Sequence, residues 1–501
     1  MRRALQLLAL SGLLATFSPS PRAFAQDTSD SEAPDDDHSD VEKTPDEAAR
    51  QAAEPAKAAE PAVAAPAPAV AATDVAPRPK FGDTTTNGYF RGGFGASSQK
   101  GRQTCFQLAL NGGLLSKYRL GNECEVWAEY GLNTVVYAGK DGAVGTIHFT
   151  PAALIPTSKL GYSPTGVTSS DFGSPGTGAT VAFPNLYVDI KGISWLHGGT
   201  AWVGTRYYKR ESVYISDFFY WNPSGVGAGV EDIELGSDLR LSYAAFAVDG
   251  QPAGSPQVPS QIDLGVRNDL QLRGIRPYKG GEFQIGVQYI ADFSNDKDVN
   301  GVSSTHGGWG VTLRHVQQLL GGDNKFVIQY GRGGGTGFGT LARFYYPDFS
   351  LRWDPKQARL RVLDVLTIQP TEWFGAQVAG VFQRDDEGTG VSGASTNWYS
   401  AGGRVAFDVV EHFKLLGEVG YDLVRKTNGA PDQSLAKFTF APAISAGKGF
   451  MTRPELRLFT TYARWSEAAR LAVIDSARIY TDNYPTYLSG WTFGVQGETW
   501  W

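Results

Sequence analysis

From residue 83 onward, apolar and polar positions alternate with a period of two, the repeat of a strand whose neighbouring side chains point to opposite faces. Between Asn87 and Gly95, Tyr89 and Arg91 share one face, and Gly88, Phe90 and Phe94 the other. Glu125, Trp127 and Glu129 likewise oppose Val126, Ala128, Tyr130 and Leu132. The final run repeats the arrangement, with Thr492, Gly494, Gln496, Glu498 and Trp500 on one side and Phe493, Val495, Gly497, Thr499 and Trp501 on the other. One face suited to water and one suited to lipid predict strands of a transmembrane antiparallel β-barrel. A strand that finishes on an aromatic at the lipid-facing phase favours this over a soluble sandwich. About 420 residues suit roughly 16 to 18 strands of ~9–11 residues each within the membrane.

The first 80 residues lack this period. Arg2 and Arg3 precede an apolar core from Ala4 to Phe17 and a small-residue site at Ala23 to Ala25, which predicts a signal peptide over 1–25 with cleavage after Ala25. Residues 26–80 are acidic and then Ala/Pro-rich, with almost nothing large to bury, and read as a disordered periplasmic linker. The stretch between Pro45 and Pro55 is too brief for a stable helix. A sharper reading makes the linker a tether to peptidoglycan or to a partner. The barrel takes residues 83–501.

Composition narrows the class. The mature chain has no run of 18 apolar residues, so spanning helices are excluded, while a mean hydropathy of -0.25 is compatible with a barrel. The 61 Gly, 22 Tyr, 27 Phe and 12 Trp, against 2 Met, suit strands, turns and aromatic girdles. Of the net charge of -6, residues 26–80 carry 13 acidic and 5 basic side chains, so the body is nearly neutral and implies no nucleic-acid partner. Cys105 and Cys124 predict a disulfide in an oxidising compartment, the alternative being two buried unpaired thiols.

No catalytic motif appears and no cofactor is implied, so an enzyme is not expected. The glycines from Gly333 to Gly339 read as a loop or hairpin. Asp292, Asp296 and Asp298, or Asp385, Asp386 and Glu387, could hold calcium, but solvated loop tips are the favoured reading and no metal site is assigned. Transport remains. For a sugar it requires flat rings to pack on C–H faces, beside charged groups that exchange hydrogen bonds with hydroxyls. Binding must stay weak and repeated, so that each ring leaves as readily as it entered.

Five runs then carry a resemblance: SKYRLGNECEVWAEYGL (Ser116 to Leu132), WVGTRYYKRESVYISDFFYWNPSGVGAG (Trp202 to Gly229), NKFVIQY (Asn324 to Tyr330), RPELRLFTTYARW (Arg453 to Trp465) and WTFGVQGETWW (Trp491 to Trp501). In this order, over nearly all of 83–501, the chain resembles the maltoporin family. The resemblance implies an 18-stranded homotrimeric barrel of the outer membrane, with an inward-folded loop forming a constriction. Maltose and linear maltodextrins would pass along an aromatic slide and a polar track. Tyr89, Trp127 and Trp500 would take slide positions, with Met451 at another and Phe172 or Tyr162 as the aromatic of an external loop. Arg91, Arg119, Glu129, Arg210 and Asp217 would form the track, the last two on the loop from Arg206 to Gly225. Trp501 is read instead as a girdle aromatic. A further alternative, from another class, is a surface receptor or adhesion barrel whose loops bind phage or host, with transport incidental.

Departures accompany the resemblance. Phe219 stands where the family places a tyrosine at the narrowest point, Ser212 replaces an acidic partner, and a loop arginine falls near Pro184. Two further slide positions align with Asp323 and Met451, although Phe450 stands beside the latter. Sucrose or a broader set of oligosaccharides is therefore the alternative substrate class, and the amino-terminal extension is similar to that of sucrose porins.

Overall fold

The structure is a computed structural model that describes residues 78–99, 101–110, 113–114, 117–156, 180–236, 238–249, 264–292, 307–338, 356–386, 388, 395–476 and 487–501. The signal peptide and nearly all of the linker lie outside the described residues, as do Tyr162, Phe172, Asp296, Asp298 and Glu387.

Eighteen long strands follow one another: β1 (Thr84–Ser97), β2 (Glu125–Ala138), β3 (Val144–Pro156), β4 (Thr180–Lys191), β5 (Thr200–Arg206), β6 (Gly225–Glu234), β7 (Arg240–Asp249), β8 (Leu264–Tyr278), β9 (Gly281–Asp292), β10 (Gly308–Leu319), β11 (Gly322–Gly333), β12 (Ala358–Thr371), β13 (Phe374–Asp386), β14 (Ser395–Val410), β15 (Phe413–Lys426), β16 (Gln433–Ser445), β17 (Glu455–Trp465) and β18 (Ser489–Trp500). Each pairs antiparallel with the next, and β18 returns to β1 with Tyr89 opposite Trp500 and Arg91 opposite Glu498. The sheet therefore closes into a barrel and leaves no open edge. The two-residue strand Gly101–Arg102 only extends the end of β1.

The alternation expected from the sequence sets the two faces. On β9, Phe283, Ile285, Val287 and Tyr289 are exposed on the outside, while Gln284 and Gln288 are buried within. On β11, Phe326, Ile328 and Tyr330 face out, and Val327 and Gln329 face in. Among the described residues no helix is long and apolar enough to cross a membrane, and the ten-residue helix Glu467–Ser476 lies between β17 and β18.

Connections at one end are short, such as residues 279–280, 320–321 and 372–373, whereas most at the other end are long. Two of the long ones turn into the bore. Residues 103–110 and 117–124 are clamped together by the Cys105–Cys124 disulfide, which is formed as predicted. Residues 207–224 carry a hairpin, Glu211–Val213 against Phe218–Trp221, joined through a 3-10 turn at Tyr214–Ser216. The segments hold each other: the Arg119 N–H donates to the Ile215 carbonyl at 2.9 Å, and the Lys117 N–H to the Ser216 carbonyl at 2.9 Å.

The main apolar core consequently lies inside the barrel. Phe106, Leu108, Leu120, Ile215 and Trp221 from the inward segments pack against Val327, Leu363, Trp398 and Leu416 of the wall. The polar wall there is covered too. Glu418 accepts from the Leu120 N–H at 2.9 Å and from Lys437 Nζ at 3.0 Å, and Arg404 Nε reaches its other oxygen at 2.7 Å. Filling that side leaves the half-buried inner residues of β1 to β5 to line the passage.

Candidate functional site

Closure of the barrel assembles the site from the two ends of the strand order. Tyr89 lies between Trp500 of β18 and Glu129 of β2, and Arg91 between Glu498 and Trp127. Directly opposed side chains in adjacent strands lie within about 5.5 Å at Cβ, so these residues form one inner patch. Trp127 Nε1 donates to Glu129 Oε1 at 2.7 Å, and the Tyr207 hydroxyl donates to the same oxygen at 2.9 Å. Trp500 meets Tyr214 edge-on at 6.1 Å and carries the Arg453 guanidinium 4.7 Å from its ring centroid. Trp501 sits on the outer face, 5.9 Å from the Tyr130 ring, in keeping with a girdle aromatic.

The inward loop delivers the remaining groups. Asp217 adopts a left-handed conformation, φ 51°, just after the 3-10 turn, and its Oδ2 accepts from Arg91 Nη1 at 2.8 Å. The Arg210 guanidinium lies 3.2 Å from the Tyr207 ring centroid and 5.2 Å from that of Phe219, which is 36% exposed. Burial presses the pKa of Arg210 below the ordinary arginine value. Here a cation, two aromatic planes and a carboxylate stand side by side.

Behind them runs a network of opposite charges. Arg91 Nη2 reaches Glu125 at 2.7 Å, and Lys117 Nζ reaches Glu123 at 2.6 Å. Arg119 donates through Nε to Glu123 at 2.6 Å and through Nη2 to the Tyr89 hydroxyl at 2.6 Å, with Glu498 at 3.0 Å from the same nitrogen. Glu498 also accepts from the Tyr89 hydroxyl (3.0 Å), the Tyr214 hydroxyl (2.6 Å), Arg453 Nε (3.1 Å) and Arg457 Nη2 (2.7 Å). Burial alone would raise the pKa of Glu123, but Arg91, Lys117 and Arg119 overcome it and hold the carboxyl well below the usual carboxylate range. Asp217 is lowered in the same way: burial works against it, and Arg91 and Arg119 prevail. Matched charges of this kind offer donors and acceptors without a strong net field.

Most of the expected residues are brought together: Tyr89, Trp127, Trp500, Arg91, Glu129, Arg210, Asp217 and Phe219 gather on one side of the bore, and Arg119 is buried behind them. Met451 is not among them; it lies exposed in the turn 446–454 at the short-turn end. Its neighbour Phe450 is buried and meets Tyr214 edge-on at 6.3 Å, which continues the aromatic series from Trp500. Asp323 lies 3.5 Å from Lys325, and Ser212 pairs with Phe219 inside the hairpin. The solvated-tip reading of Asp385 is corrected, because this residue is buried and bound by Arg359 Nε at 2.6 Å and Nη2 at 3.0 Å. The glycine run forms a turn tucked inside the wall, whose Phe338 carbonyl accepts from the N–H of Asn222 on the inward loop at 3.2 Å. The reading missed Lys117, Glu123, Tyr207, Tyr214 and Arg453. All five stand in or beside the resembling runs, but nothing local marks them as partners.

The sequence model of the family described as LamB porin matches residues 84–501. Among solved structures, the chain is similar to OccAB1 of Acinetobacter baumannii, with 10% identity over 84% of this chain and 97% of that one, at a TM-score of 0.46. It is also similar to OpdK of Pseudomonas aeruginosa, solved with vanillate, with 10% identity over 84% and 99%, at 0.42. A third is OmpT of Vibrio cholerae in its trimer form, with 9% identity over 84% and 100%, at 0.37.

Proposed function

The chain belongs to the LamB porin family, and on that premise we propose that it is a passive channel selective for maltose and linear maltodextrins. Its closed barrel makes it a multi-pass protein of the outer membrane. The observation that carries the sugar reading is the patch where Trp127, Tyr207 and Phe219 present rings beside Glu129 and Arg210 on the half-buried side of the bore. A pyranose packs its C–H faces on such planes, while its hydroxyls take hydrogen bonds from the guanidinium and give them to the carboxylate. The paired charges keep each contact replaceable, so the chain advances by exchanging one set of bonds for the next. No covalent step is assigned, and the functional unit is a homotrimer, as the family implies.

Planar-bilayer recording tests this. Maltohexaose at submillimolar to millimolar concentration interrupts the ion current, and absence of block at any concentration would refute selectivity. Trp127→Ala weakens the block by ~0.5 to 1.5 kcal/mol, the scale of a lost aromatic partner. An unchanged affinity would remove Trp127 from the path. A second reading, a sucrose or broader oligosaccharide porin, draws on Phe219, which offers a plane without a hydroxyl at the narrowest point, and on Asp323 and Met451, which bring no ring to the slide. Competition among several sugars for the blocked state separates the two.

A further inference from the structure

We infer that the passage contains a second sugar-contacting subsite, centred on His148 near the short-turn end, which a long glucan occupies together with the Trp127 patch; this rests on the channel reading above. Four strands build it. His148 of β3 stacks on Tyr187 of β4, with ring centroids 4.2 Å apart and planes inclined by 8°. From β5, on the other side of β4, the Arg206 guanidinium lies 4.6 Å from the Tyr187 centroid and 4.9 Å from that of Trp202. Asn133 of β2 bonds His148 Nδ1 at 2.7 Å, and Asp189 of β4 bonds Nε2 at 3.0 Å, so the imidazole cannot turn.

These groups face the bore by register. Asn133 shares the inner face of β2 with Trp127 and Glu129, and it stands opposite His148, which stands opposite Tyr187. The side chains of His148 and Asp189 each keep 16% exposure on this side of the barrel. Between the two patches the inner position of β2 is Gly131, where an added Cβ would meet Asn87 Oδ1 at 2.4 Å. The floor from Glu129 to Asn133 is thus covered by the Asn87 amide, whose Oδ1 accepts from Asn133 Nδ2 at 3.0 Å, and no bulky side chain rises between the patches on β2. Trp127 and Asn133 are six residues apart, roughly 20 Å along the strand. A short sugar reaches one patch, and a chain of several units reaches both.

The chemistry repeats that of the first patch. A fixed ring offers an apolar surface, a carboxylate and an amide offer acceptors and donors at its edge, and a guanidinium backs the stack. Asp189 Oδ1 is buried with no hydrogen-bond partner among the described residues, while the side chain as a whole keeps 16% exposure, so a small turn of the carboxylate brings this unpaired acceptor to the bore wall. A neutral polyhydroxylated chain supplies both the donor and the C–H face. A buttressing ion pair alone would not require a planar ring stacked on a second one beside the water path.

The test uses the intact channel in planar bilayers, with maltotriose and maltohexaose as probes and His148→Val and Asp189→Asn as variants. Either variant weakens maltohexaose block about three- to ten-fold while leaving maltotriose block within about two-fold of the parent. Equal losses for both sugars, or no loss for either, overturn the subsite. Unit conductance and migration on an unheated gel check assembly, and Asp189→Asn decides alone if His148→Val does not assemble. A parent channel that neither sugar blocks defeats the channel reading itself, and with it this one. A parent that is blocked while both variants match it defeats only the subsite.

Discussion

Glu123 has three cations within reach, Arg119 at 2.6 Å, Lys117 at 2.6 Å and Arg91 at 3.5 Å, and all four residues are largely buried. Because its pKa and that of Asp217 are lower in the folded protein than in an unfolded chain, the stabilisation is fully present above the ordinary carboxylate range. It is lost as pH falls from about 4 downward. Acidification from pH 5 to pH 2 therefore loosens the inward segments, and current fluctuations in single channels grow as the pH drops below about 4. Glu123→Gln flattens the dependence, since glutamine carries no charge to lose; an identical acid response in this variant would move the cause elsewhere. At this scale the sequence was partly legible. The inward parity of Tyr89, Arg91, Trp127, Glu129 and Glu498 could be read from alternation alone. That Glu498 binds Arg119, Tyr214 and Arg453 could not, because those residues lie tens to hundreds of positions away.

The inward segments are where individual elements matter most. Gly402 and Gly420 oppose each other on β14 and β15, and the Tyr118 ring lies against both; a Cβ added at either would meet that ring at 2.4 and 2.0 Å. The two glycines make the dent that seats residues 117–124 on the wall through Tyr118. Gly420→Val fills it, displaces Tyr118 and raises unit conductance with the barrel intact, whereas unchanged conductance would mean that the segment does not narrow the bore. The disulfide secures the same element over a sequence separation of 19. Replacing both Cys105 and Cys124 by Ser costs about 3 kcal/mol by loop entropy, and protease nicking between them should accelerate. The sequence suggested the bridge and an inward loop at Arg206–Gly225. That the disulfide segment also enters was not read, although Phe106, Leu108 and Leu120 make it too apolar for a solvated loop and need the cover that the bore supplies.

For the whole molecule, closure matters more than any single pair. Only when β18 pairs with β1 do Trp500 and Glu498 meet Tyr89 and Arg91, so the site cannot precede the complete cylinder. An aromatic and aliphatic outer face, including Phe94, Val203 and Leu458, suits lipid or neighbouring subunits. Crosslinking and unheated gels are expected to show trimers, and monomers alone would contradict that assembly.

By itself, the chain's alternation determined the two faces, the barrel class and the water-facing identity of Tyr89, Trp127 and Trp500. Side-chain direction in a strand is a local property of the backbone, and the contrast between lipid and water is written directly into residue type. Tertiary structure alone decided which charges pair, that two segments fill one side of the bore, and that Phe450 rather than Met451 continues the aromatic series. A shift of register by two residues preserves the alternation and changes every partner, so those contacts are set by closure and packing across the whole cylinder.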